Sequence, residues 1–61
     1  MFNEYDIVYS SVDINEEVKS GTKGVILMVL DLKKEVYEVE FVNSNDGTID
    51  VTEVRGTQLR K

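Results

Sequence analysis

Residues 36–54 read VYEVEFVNSNDGTIDVTEV, two alternating runs of apolar and polar residues about a polar break. No other feature of the chain narrows its fold so far. A period of two suits a strand with one face in a core and the other in water, and it excludes an amphipathic helix. The first run places Tyr37, Val39 and Phe41 on the inward face and Glu38 and Glu40 on the outward face. The break, NSNDG, consists of residues that tolerate turns and left-handed backbone, so the two runs predict a β-hairpin. In the second run, Ile49 and Val51 are expected to point inward.

The rest of the chain supplies further short strands. Residues 4–9, EYDIVY, predict a first strand rich in β-branched and aromatic residues. Val8 is expected in the core, with Tyr5 and Tyr9 half-covering it and their hydroxyls in water. Residues 10–23 form a long connection. Asp13 and Glu16 stand at capping-box spacing, and Ile14 and Val18 lie four apart, so one helical or 3₁₀ turn is expected, ending near Gly21. Residues 24–30, GVILMVL, are a continuous apolar strand. Val25, Leu27 and Val29 share one face; Ile26, Met28 and Leu30 share the other. A small barrel has one interior, so two solutions stand open. One apolar face is covered from outside, or a bulge switches which side chains point inward. DLKKE turns the chain, Gly56 allows a sharp bend, and Leu59 is expected to be buried.

With 61 residues there is one domain, 1–61. Four to five short strands in meander order close most economically as a small all-β barrel. So short a chain buries only about 60% of its unfolded surface. Small scaffolds of this kind usually need a disulfide, a metal or a partner. The sequence contains no cysteine and no histidine. That removes disulfides, thiolate and imidazole metal sites, and the commonest general base. No catalytic, cofactor or metal-binding residue is expected, and the chain is read as a non-enzyme.

The formal charge is −5, from 12 acidic and 7 basic residues. Nucleic-acid affinity rests mainly on Lys and Arg, so an acidic domain lacks that footprint. Lys33 and Lys34, and the group Arg55, Arg60 and Lys61, read as solvated turn and tail residues. MFNEYDIV lacks the charged and apolar regions of a signal peptide, and VILMVL is too short to span a bilayer. A cytoplasmic location is the expectation.

Two acidic patterns invite a chemical reading. Within residues 42–53, Asp46, Asp50 and Glu53 fall at calcium-loop positions, but Val42 occupies the first position and strands flank the segment instead of helices. Solvated hairpin acids are the better reading. Glu38 and Glu40 need a cleft and divided environments to act as acid and base. On an outward strand face they are solvated. Together with Asp6, Asp50 or Glu53 they form an acidic surface that attracts a basic partner.

The turn GTKGVI, the strand YEVEFV and the run TIDVTEV, with an initial YDIV and a terminal L-R, resemble domain-of-unknown-function family 4926, a group of short bacterial proteins. The resemblance covers nearly the whole chain. It implies an SH3-like barrel of five strands and no assigned chemistry. It also implies a role beside a toxin-like gene, as a small antidote partner. The GTKGVI turn is similar to the KOW motif of ribosomal and elongation proteins, whose loop is basic. Here Lys19 and Lys23 stand against Glu16 and Glu17.

The expectation is a non-catalytic protein-binding module, inhibitor-like or antitoxin-like, for a basic protein partner. Its alternative is a KOW-like nucleic-acid-binding barrel. The candidate protein-binding residues are Met28 and Leu30, for adaptable apolar contact, and Glu38, Glu40, Glu16 and Glu17 for charge. A weak homodimer through the surplus apolar face is expected as well.

Overall fold

A computed structural model describes all residues, Met1–Lys61. The strands are β1 (Ile7–Ser10), β2 (Lys23–Asp31), β3 (Val36–Val42), β4 (Thr48–Arg55) and β5 (Leu59–Arg60). A 3₁₀ turn, Gly56–Gln58, joins the last two. All pairings are antiparallel, and the sheet order is β4-β3-β2-β1-β5. The five strands curl into a half-barrel, the SH3-like architecture expected.

β3 lies between β2 and β4 and follows its alternation. Tyr37, Val39 and Phe41 are fully buried, and Glu38 and Glu40 point outward. Val8, Ile26, Val54 and Leu59 join them, and Val18 closes the core from the loop. Leu59 is buried as expected, because β5 pairs Leu59 with Ser10.

β2 resolves its two-faced pattern with bulges. Ile26 pairs with Val39, but Met28 pairs with Glu38, so Leu27 and Met28 together oppose one residue. The extra residue shifts the phase of the strand. Ile26 and Val29, three apart, both turn inward, opposite Val39 and Tyr37. Met28 and Leu30 stay outside.

A bulge in β4 overturns one expectation there. Phe41 pairs with Asp50 and Val42 with Thr48, so Thr48 and Ile49 share one partner. Ile49 packs against the core, as expected. Val51 does not: it opposes Glu40 and is exposed on the outward face. Thr52 and Val54 take the inward positions.

Two further expectations are corrected. β1 begins at Ile7, because residues 3–6 form a turn in which Tyr5 has a positive φ of 68°. The connection after β1 contains no helical turn. The Ile14 N–H donates to the Val18 carbonyl at 2.8 Å, the reverse of a helical bond. Asn15 Oδ1 accepts from Glu17 N and Val18 N, each at 2.9 Å, and Asp13 Oδ1 accepts from Ser20 N at 2.8 Å. Short polar side chains here replace the backbone partners that a helix would supply. Ser10, fully buried, ties the loop down. Its hydroxyl donates to the Lys19 carbonyl at 2.7 Å and accepts from Thr22 N at 3.1 Å.

The turn before β1 is also an electrostatic clasp. Asp6 Oδ2 accepts from Asn3 N at 2.9 Å and lies 3.2 Å from Lys61 Nζ. The Asn3 backbone N–H, and after it the Lys61 ammonium, hold the Asp6 carboxyl below its ordinary 3.8. Since folding lowers this pKa, Asp6 contributes stability above its unfolded value. That contribution is lost as the pH falls through the lower folded value. Denaturant unfolding of wild type and Asp6→Asn across the acid range checks this. The gap between them should close as the pH falls; a gap independent of pH would contradict it.

Candidate functional site

The register lines up side chains in rows across the outward face. One row runs Ile7, Val25, Glu40, Val51 from β1 to β4. The next runs Met28, Glu38, Glu53. Ile7 is 46% exposed, Met28 48% and Val51 46%. A sheet normally buries one face and solvates the other. Here the solvated face alternates large apolar groups with carboxylates, and Leu30 extends it toward the β2–β3 turn.

The carboxylates on this face lack cations. Ion pairs elsewhere engage Asp6, Glu35 and Asp46, and none engages Glu38, Glu40 or Glu53. Glu40 accepts a hydrogen bond from the Thr48 hydroxyl. Glu38 stands directly across from Glu53. The hydrogen-bond phase of the sheet brings these two especially close. The Ile26 N–H donates to the Asp6 carbonyl at 3.0 Å, and the Ile26 carbonyl accepts from Tyr5 N at 2.6 Å. Ile26 therefore bonds toward β1, and its partner Val39 bonds toward β4. By alternation, Glu38 and Glu53 form a non-hydrogen-bonded pair, the kind with the closer side chains.

Like charges directly opposite are destabilising. Glu38→Lys is expected to raise stability by about 0.2–1 kcal/mol by replacing repulsion with attraction. Denaturant midpoints at low and high salt check it: the gain should shrink in salt. A loss of stability would place Glu38 in a different environment.

The sequence-derived candidates thus divide. Met28, Glu38 and Glu40 meet on one face, with Leu30 at its margin. Glu16 and Glu17 are exposed on the 11–22 loop, whose Ile14 and Val18 pack against the inward side. They belong to another surface. The sequence does not single out Ile7 and Val51 as members of the outer face: Ile7 lies in the apolar run IVY, and the alternation of TIDVTEV points Val51 inward. The register alone reveals them.

The acids of the calcium-loop pattern do not converge. Asp46 pairs with Lys23 at 3.4 Å, Asp50 accepts from Asn15 Nδ2 at 3.0 Å, and Glu53 faces Glu38. No three carboxylates are placed to hold a metal ion. A shallow depression of about 320 Å³ lies among Gly21, Thr22, Lys23, Val42, Asn43, Ser44 and Ile49. Its one charged group, Lys23, is the partner of Asp46. No helix is long and apolar enough to cross a membrane.

Comparison with curated proteins and with solved structures returns no match. The family model described as "Domain of unknown function (DUF4926)" matches residues 4–61. With the match running from the turn before β1 to the end of β5, the chain belongs to that family.

Proposed function

We propose that this protein is a non-catalytic protein-binding module, and that it binds a basic partner through the outward face of β2, β3 and β4. The observation that carries this reading is the Glu38–Glu53 opposition beside exposed Met28 and Val51. Three carboxylates without cations, set among apolar side chains, suit a partner surface with lysine or arginine around an apolar centre. A fold that keeps a repulsive pair on its surface gives up stability there, a pattern common where function needs the groups. The acidic charge favours a basic partner, and the family resemblance implies an antidote or inhibitor as the form of this role.

The nucleic-acid alternative draws less support. Lys23 is paired with Asp46 and Lys61 with Asp6, and the Arg60 guanidinium lies 5.0 Å from the centre of the Tyr9 ring. Three of the seven basic side chains are thus engaged, and the rest, Lys19, Lys33, Lys34 and Arg55, stand among 12 acidic residues.

Affinity capture from source cells tests the reading when wild type is compared with Glu38→Lys/Glu40→Lys. A basic protein should be retained by wild type, released by salt and lost from the charge-reversed variant. Capture unchanged by charge reversal, or capture of RNA, would overturn it.

Self-association through the same face is part of the proposal and has the opposite salt dependence. Two copies bring together net charges of −5 each, so a weak dimer should strengthen as salt screens the repulsion. Sedimentation over a wide concentration range at two salt levels reads this directly. A monomer at every concentration in both would remove the homodimer.

A further inference from the structure

β4 is an edge strand with no neighbour beyond it. The alternation that directs Val39 and Thr52 toward each other directs the N–H and C=O of Val51 and Glu53 away from β3. No bond within the chain claims them: the backbone bonds outside the ladders involve no residue of 48–55. Arg55, next in the alternation, confirms the phase, since its N–H leaves the sheet to donate to Gln58 Oε1 at 2.8 Å. The eight-residue edge has a bulge at Thr48 and Ile49 and the charges Asp50, Glu53 and Arg55, but the stretch from Val51 onward is regular and has no proline or lysine.

We infer that the partner docks by adding an extended segment to the free edge of β4, antiparallel to it, through the main chain of Val51 and Glu53. This rests on the protein-binding reading and specifies its mode. Main-chain bonds give such a complex its affinity, and alternate side chains give its specificity. The added residue opposite Glu53 falls on the outward face, where a lysine or arginine also approaches Glu38. Two residues later in the added strand, the position opposite Val51 favours an apolar side chain. The segment recognised is thus basic–x–apolar, read from its N-terminal side. A second copy suits the edge less well. Its β4 offers Asp50 and Glu53 against one cation, Arg55, and each copy carries a net charge of −5.

The probe is a short capped synthetic peptide containing lysine–threonine–valine flanked by threonines. Its control replaces lysine with glutamate. Amide hydrogen exchange on the labelled full chain is the readout. At saturating lysine peptide, exchange at Val51 and Glu53 should slow by about tenfold or more, as their amides become bonded. The glutamate peptide should have no effect. Val51→Pro removes one edge N–H that serves no ladder bond and should abolish the protection while the fold persists. If that variant does not fold, Glu53→Lys keeps the backbone intact and should transfer the preference to the glutamate peptide. Unchanged exchange at Val51 and Glu53, whether or not the lysine peptide perturbs the outward face, would overturn edge addition. The capture experiment with Glu38→Lys/Glu40→Lys judges the wider protein-binding reading independently.

Discussion

Phe41→Asp should leave no cooperatively folded protein. Phe41 is fully buried in the middle of the core, on the strand bonded to both β2 and β4. The change removes an aromatic side chain whose burial is worth about 3 kcal/mol. It also places an unpaired carboxylate in the fully buried core, at a cost of several kcal/mol more. A core of this size supplies only about 3–5 kcal/mol in total. Val39→Asp, equally buried on the same face, should behave alike. Circular dichroism and a urea titration decide it. A soluble variant with a sigmoidal transition would show that the inward face of β3 has been misassigned.

Gly24→Ala is expected to be nearly as damaging, although it adds a single methyl group. An added Cβ would lie 2.7 Å from Val39 Cγ1, and 3.0 and 3.1 Å from the Phe41 ring. Both neighbours are fixed in the core, so the backbone of β2 must move away. Overpacking of this kind costs about 1–3 kcal/mol, most of what this domain has to lose. Gly24→Ala/Val39→Ala removes the nearest atom and should be less unstable than the two single losses added together. Strict additivity would mean that the glycine is not required for packing. Gly21, three residues earlier, has a different role: its φ of +89° is a conformation that other residues resist, and space for a side chain is open there.

β3 and the turn after it were legible in the sequence because alternation and burial coincide along the strand. Asn43, whose side chain accepts from Asn45 N and Gly47 N at 2.9 Å each, holds the turn that its residue types predict. The phases of β2 and β4 were not legible. A bulge leaves no mark in a run such as VILMVL, where every neighbour is apolar, so only pairing decides between Leu27 and Met28. Val51 is displaced outward by the extra residue at Thr48 and Ile49, which the alternation of TIDVTEV does not announce. The 11–22 loop misled for another reason. Its helical spacing is real, but Asn15 and Asp13 satisfy the backbone by side-chain bonds that sequence spacing does not reveal. The acidic half of the candidate site was therefore readable at Glu38 and Glu40. Its apolar half, Ile7 and Val51, and the like-charge pair with Glu53 required the register.

The most direct measurement is chemical-shift mapping of the labelled chain with its captured partner. Perturbations should centre on Val25, Met28, Glu38, Glu40, Val51 and Glu53, and shrink as salt is raised. Perturbations confined to the 11–22 loop, or to the Lys23–Asp46 end of the sheet, would contradict it.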